Sequence, residues 1–208
     1  MAKWNKDKNR IIYGSYDDFV SIQRARMKKS APFNPKSEKH IIHDLKRLYT
    51  HINPEAKILD AGCRDGWAMG RMNHDGFKNV VGIDVVKENI DICQNLGYQA
   101  SVQDCEKTEF DDNEFDAVFC RHTLEHVIHP EKAMAEFSRI TKSGGIVYVV
   151  VPIERSMRKR EVRYGHSYVF EDSKQFEGLT PDQLVVKDAV IEEKTLSGIA
   201  STFVLEKV

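Results

Sequence analysis

Apolar positions along the 208-residue chain follow two different periods. Ile41, Ile42, Leu45, Leu48, Tyr49 and Ile52 recur at i, i+1, i+4, i+7, i+8 and i+11, which predicts an amphipathic helix expected to stop at Asn53-Pro54. A looser helix is expected over 15–30, carrying Phe19, Ile22 and Met27. "APFNP" separates the two, because prolines three residues apart disfavour helix around them. From residue 56 short apolar runs alternate with helical ones. "AKILD", "NVVGID", "YQASVQD" and "FDAVFC" read as strands. A helix through about Asn73, "KENIDICQNL" closed by Gly97, and "PEKAMAEFSRIT" with Pro130 at its start read as helices. "SGG" is expected to cap the last of these, and "IVYVVVP" is a continuously apolar strand, as in a sheet covered on both faces.

Strand–helix alternation of this kind predicts an α/β fold with a doubly wound, mostly parallel sheet. The end differs: residues 183–208 read as two strands around Ser197-Gly198 with no helix between, so the sheet should finish in an antiparallel hairpin. The expected division is a basic helical extension or lid over 1–53 and a Rossmann-like domain over 54–208.

A parallel sheet holds its ligand at the carboxyl ends of its strands. The first strand ends at Asp60, and Gly62, Gly66 and Gly70 follow. Gly62 and Gly66 suit a turn where a missing Cβ lets the chain approach a ligand, whereas Gly70 reads as a helix-packing position. Neither G-x-G-x-x-G nor a phosphate loop ending in Gly-Lys-Ser/Thr is present, so the two commonest phosphate-binding readings fall away. Asp84 ends the second strand, where an acid can accept hydrogen bonds from ribose hydroxyls. Asp104 ends the third, and "CRHTLEHVIHP" follows the fourth. Asp is common in turns, but chemistry at four successive strand ends on one rim is a stronger signal.

Charge and composition narrow the function. Apolar residues are 41% and charged residues 30% of the chain, and the net charge is −1, giving no global pull toward nucleic acid or membrane. Residues 1–51 hold twelve Lys/Arg against five Asp/Glu, a net of +7 that leaves −8 for the remainder. "ERSMRKREVR" (154–163) adds a second basic run of net +3. No apolar run reaches the roughly 20 residues needed to span a bilayer, and "MAKWNKDKNR" lacks the apolar core of a secretory leader. Cys63, Cys93, Cys105 and Cys120 show neither a CxxC pair nor zinc-like spacing, so reduced thiols and a cytoplasmic setting are expected.

These segments resemble the class I S-adenosylmethionine-dependent methyltransferases: "ILDAGCRDG" (58–66), "VVGIDVV" (80–86), "VQDCEKTEFDDNEFDAVFC" (102–120), "RHTLEHVIHPEKAMAEFSRITKSGG" (121–145) and "IVYVVVP" (146–152). The resemblance runs over about residues 40–208 and implies a seven-stranded sheet of order 3-2-1-4-5-7-6. It further implies that Asp60 orders the loop and faces the methionine amino group, and that Gly62 and Cys63 offer backbone to the methionyl end. Ala61 and Gly66 belong to the same loop. Asp84 would hold the ribose, Val85 pack on adenine, Asp104 take the adenine amino group and Cys105 donate its amide. Arg121 would begin the segment lining the methionine side. Arg64 departs from the pattern, which usually has glycine there; its guanidinium is placed to reach the cofactor carboxylate or solvent, and a glycine-only backbone would be strained there by 1–3 kcal/mol on the order-of-magnitude scale for such sites.

Methyl transfer to a weakly acidic hydroxyl needs a base or a metal. His122, Glu125 and His126 share one face of a helical turn, and His166 in "YGHSYVF" should return over the same rim. H-x-x-E-H with a later histidine resembles the metal-binding E-x-x-E-H…H arrangement of some O-methyltransferases, with His122 in place of the first acid. A divalent ion, a base histidine and a packing role all stay open, and no residue is assigned to a metal. The basic segments favour a small anionic acceptor over nucleic acid, with Trp4, Tyr13, Tyr164 and Tyr168 near enough in sequence to cap it. The resemblance thus points to a methyltransferase, with a catalytically silent cofactor-binding protein, cofactor cleavage or aminopropyl transfer as alternatives. A monomer or a homodimer built on the N-terminal helices is expected.

Overall fold

The computed structural model describes residues 3–5, 10–29, 35–154, 165–195 and 198–208. Residues 155–163 of the second basic run, Tyr164, Ser197 and the side chains of Trp4 and Arg26–Lys29 lie outside the described residues.

In chain order the elements are β1 (Lys3–Asn5), β2 (Arg10–Ile12), α1 (Tyr16–Lys29), α2 (Pro35–Tyr49), β3 (Ile58–Ala61), α3 (Trp67–His74), β4 (Val80–Asp84), α4 (Lys87–Asn95) and β5 (Gln99–Val102). There follow β6 (Phe115–Arg121), a 3₁₀ turn (Leu124–His126), α5 (Pro130–Ile140), β7 (Thr141–Ile153), α6 (Ser173–Glu177), β8 (Leu184–Thr195) and β9 (Gly198–Lys207). Seven strands form one sheet in the order β5-β4-β3-β6-β7-β9-β8, with β9 antiparallel to both β7 and β8 and the other pairs parallel. This is the topology expected from the sequence. The order reverses between β3 and β6, which opens a crevice above their carboxyl ends.

Side chains of one strand alternate between the two faces, and the core divides accordingly. Val118, Cys120, Val147 and Val149 pack with Ala133, Met134 and Phe137 of α5. Ala117, Phe119, Ile146 and Tyr148 pack on the other face with Leu45 and Leu48 of α2 and Met69 and Met72 of α3. Both faces being covered explains why β6 and β7 read as unbroken apolar runs. Leu45 and Leu48 are fully buried, so the apolar stripe of α2 is part of this core.

Two local expectations are corrected. α2 ends at Tyr49, before Asn53-Pro54; Thr50 Oγ1 donates to the Arg47 carbonyl at 2.8 Å, and Asn53 Oδ1 accepts from Glu55 N at 3.0 Å in a separate turn. "SGG" does not cap α5. That helix runs directly into β7 at Thr141, whose Oγ1 donates to Phe137 O at 2.6 Å, and Ser143–Gly145 lie in an irregularity of the β6–β7 pairing. The β1–β2 ribbon was not anticipated. All four cysteines are buried free thiols, as expected.

Candidate cofactor and acceptor site

A cavity of about 440 Å³ opens over the reversal point, lined by the ends of β3, β4, β5 and β6 and roofed by Phe19 and Gln23 of α1. Asp60, Gly62, Cys63, Arg64, Asp84, Val85, Asp104, Cys105, Arg121, His122 and His126 all line it. Ala61 and Gly66 shape the turn from outside that lining, and Glu125 and His166 stand behind His126.

The turn after β3 is built around glycine. Gly62 has φ 83°, and a Cβ there would lie 2.3 Å from Thr123 Oγ1, so only a bare backbone fits. Thr123 in turn donates to the Ala61 carbonyl at 3.0 Å, locking the loop after β6 onto the end of β3. The amides of Gly62 and Cys63 both donate to the Ile83 carbonyl at 2.9 Å, and Cys63 O accepts from Gly66 N at 3.0 Å. The amides of Gly62 and Cys63 are thus used within the turn itself. Gly70 is a packing position, as expected, since a Cβ would meet the Tyr98 hydroxyl at 2.5 Å.

Arg64 adopts φ 52°, inside the small left-handed region open to L-residues, and its side chain is exposed at the cavity mouth. Its amide donates to Asp84 Oδ2 at 3.1 Å, and Val86 N donates to Asp84 Oδ1 at 2.8 Å. The Asp84 carboxylate is thereby oriented by two backbone donors.

Asp60 is buried, and its Oδ2 finds no hydrogen-bond donor. Burial, with the Asp84 charge adding to it, raises its pKa to about 7. A buried carboxylate oxygen without a donor, facing a cavity, is the complement of a cationic group. Across the cavity Asp104 receives the Tyr16 hydroxyl of α1; burial and then the Asp104 charge push that phenol's pKa up. Arg121 is committed elsewhere as well as lining the cavity: its Nε donates to Asp44 Oδ2 of α2 at 2.6 Å.

At the other end stand the histidines. His122 has φ 52°, and its Nδ1 lies 3.3 Å from Glu125 Oε1. Glu125 is 2% exposed. Burial would raise its pKa, but the His122 hydrogen bond and the charges of His126, His122 and His166 outweigh it, bringing the group down to about 2. His126 Nε2 is 3.7 Å from the same oxygen, and its Nδ1 donates to Gly165 O at 3.0 Å. His166 packs edge-on against His126 with centroids 4.8 Å apart, and its Nδ1 donates to Glu154 Oε2 at 3.1 Å. The four residues singled out in sequence thus form one cluster.

Sequence reasoning missed Thr123, Asn89 and Gln23 as lining residues. Gln23 is buried and donates to Gly165 O at 3.0 Å, while Ile11 N donates to Ser167 O at 2.7 Å, so α1 and β2 are stitched to the segment that carries His166. Tyr13 is hydrogen-bonded to Ser167 and Tyr168 stacks under Arg10, so both are packing residues.

The switch-point crevice, a glycine turn and three strand-end acids lie together at the end of an α/β sheet where such folds hold their ligands. Residues 59–149 match the family model described as a methyltransferase domain. The chain is 32% identical over 104 residues to phosphoethanolamine N-methyltransferase 3 of Arabidopsis thaliana, covering 47% of this chain and 21% of that one. It is 30% identical over 122 residues to ubiquinone biosynthesis O-methyltransferase of Rickettsia bellii, covering 56% and 50% respectively. The matches therefore span half or less of these relatives' lengths. A crystal structure of a S-adenosylmethionine-dependent methyltransferase from Methanosarcina mazei shares the fold, with TM-score 0.67 and 18% identity over 78% of this chain and 97% of that one. Among the described residues no helix is long and apolar enough to cross a membrane.

Proposed function

We propose that the protein is a methyltransferase that uses S-adenosylmethionine to methylate an oxygen atom of a small acceptor. The observation that carries the reading is the donorless Asp60 carboxylate oxygen, which faces the same cavity as the Asp84 and Asp104 carboxylates and His122. When bound, the cofactor supplies a methyl group on a positively charged sulfur. Asp60 would receive its amino group together with the Gly62 carbonyl, Asp84 its ribose hydroxyls, and Val85 its adenine face. Asp104 and the Cys105 amide would take the adenine edge, with Tyr16 above them.

Oxygen is favoured because the cluster holds a base. Glu125 is ionised and accepts the His122 Nδ1 proton, which leaves Nε2 of that ring to take a proton from an acceptor hydroxyl. The left-handed backbone of His122 is fixed by its amide, which donates to Val150 O at 2.9 Å. α1, roofing the cavity, would exclude water from the transfer. The relatives named above act on nitrogen in one case and oxygen in the other, so the base is the discriminating feature. The basic N-terminal segment supports an anionic acceptor.

Calorimetry with S-adenosylmethionine and its demethylated product tests binding, and Asp84→Ala should abolish it. Release of demethylated product from a panel of small hydroxy acids tests transfer. Tight binding with no release from any hydroxylated acceptor would leave a binding protein instead.

A further inference from the structure

We propose that Arg121 is the anion-recognition residue of the cavity, gripping a carboxylate with its two Nη groups, and that Asp44 is the residue that positions it. Arg121 ends β6 and lines the cavity with Phe119 and His122. A guanidinium carries five N–H donors in a rigid plane. The one on Nε donates to Asp44 Oδ2 at 2.6 Å, and among the described residues the Nη groups meet no acceptor. The side chains of Arg121 and Asp44 are 18% and 11% exposed, so this is a largely buried pair and not a surface one.

The first argument is what holds the fork. Asp44 is buried on α2 and also accepts from the Tyr148 hydroxyl at 3.4 Å. Burial and then the Asp44 charge push that phenol's pKa up, so it stays a donor. Asp44 is thereby tied to β7 as well as to β6. A guanidinium bonded through Nε alone keeps its Nη1–Nη2 edge for a second, bidentate partner.

The second argument is what stands beside it. In the β3–β6 pairing Asp60 lies opposite Phe119. Residues two apart on a strand share a face, so Asp60, Phe119 and Arg121 all lie on the side of the sheet that α2 covers, as the Asp44 contact requires. Parallel-strand spacings put the Cα atoms of Asp60 and Arg121 about 8 Å apart. Asp60 Oδ2 is a buried acceptor without a donor, and the Arg121 Nη groups are donors without an acceptor. An ammonium on the first and an acid on the second would stand side by side in the cavity.

A planar, singly charged carboxylate matches the fork, whereas a dianionic phosphate would meet the like charges of Asp44, Asp60 and Asp84. Under the proposed function, on which this inference rests, two molecules bring a carboxylate here: the cofactor, through its aminoacyl end, and an acidic acceptor. In the first case Arg121 selects the intact cofactor over the decarboxylated form that aminopropyl transfer would use. In the second it selects acidic acceptors over neutral ones.

The test is calorimetry on the full chain with two kinds of matched probe. The first pair is S-adenosylhomocysteine and its decarboxylated counterpart, which keeps the amino group. The second is each small hydroxy acid of the panel above and its neutral amide, titrated into protein saturated with S-adenosylhomocysteine. Wild type should prefer the carboxylate member of a pair by about 10- to 100-fold, the worth of a charge-assisted hydrogen bond. Arg121→Gln should bring that preference to within about twofold. A preference in the first pair assigns the cofactor as carrier, and one confined to the second assigns the acceptor. Asp44→Asn should shrink the same preference through the carboxylate member alone, which a general structural defect would not do. Because Arg121→Gln leaves Asp44 buried without its partner, Arg121→Gln/Asp44→Asn is measured alongside, and the wild-type ratio is independent of any variant. Equal wild-type binding of both members in both pairs, or a preference that survives in the double variant, overturns the inference. Wild type that binds S-adenosylhomocysteine with no carboxylate preference in either pair sinks the inference and leaves the proposed function standing; wild type that does not bind it sinks both.

Discussion

Replacing Asp60 with asparagine isolates the group on which cofactor capture depends. Asp60 titrates near pH 7 because it is buried beside Asp84, against an ordinary value of 3.8. If the cofactor's amino group requires the carboxylate, binding at lower pH must first expel a proton. At pH 6 about a tenth of the molecules carry the charge and at pH 8 about nine tenths, so affinity should rise about tenfold between them, or about 1.4 kcal/mol. Calorimetry of the demethylated cofactor in buffers of differing ionisation enthalpy should show nearly one proton released at pH 6 and little at pH 8. Asp60→Asn should bind weakly, release no proton and show a flat profile. Stability carries the opposite sign. A carboxyl whose folded pKa is raised stabilises the fold below its unfolded value, and that contribution is lost as pH climbs from about 4 through 7. The gap from 3.8 to about 7 sets a ceiling on the order of 4 kcal/mol. Asp60→Asn should therefore gain Tm relative to wild type as pH rises, even while losing cofactor. Identical pH profiles for the two proteins would refute the reasoning.

Gly62→Ala should cost at least about tenfold in cofactor affinity, from backbone strain of about 1–3 kcal/mol and the Thr123 clash; Gly62→Ala/Thr123→Ala should recover part of it, whereas an additive double mutant would deny the contact. Arg64→Gly should stabilise the fold by about 0.5–1 kcal/mol in urea titrations by relieving the left-handed backbone, and a loss would show that the side chain holds the turn. Leu48→Ala should destabilise by about 3 kcal/mol because α2 is core, while a loss under 1 kcal/mol would make it a dispensable cover.

The sheet was legible because β6 and β7 are buried on both faces, and such strands write themselves as apolar runs. The rim was legible because parallel strands all end on one side, so Asp60, Asp84 and Asp104 needed only their strand ends to be found. What stayed hidden depends on contacts distant in sequence. Gln23 and Ile11 reach the 165–167 segment across more than a hundred residues, and the three-residue strands β1 and β2 are too short to show a period. Arg121 reads as a lining residue, yet its pairing with Asp44 follows only from where α2 docks. Arg64 and His122 carry no local sign of left-handed backbone, since only glycine advertises that conformation. The "SGG" misreading has the same root: Gly144 does take positive φ, but inside a strand irregularity set by the neighbouring β6.

Co-crystallisation with S-adenosylhomocysteine tests the account most directly. The nucleoside should lie over Val85 with its ribose hydroxyls on Asp84, its adenine edge on Asp104, and its amino group on Asp60 Oδ2. Density at full ligand occupancy that leaves Asp60 and Asp84 without contact to the ligand would contradict it.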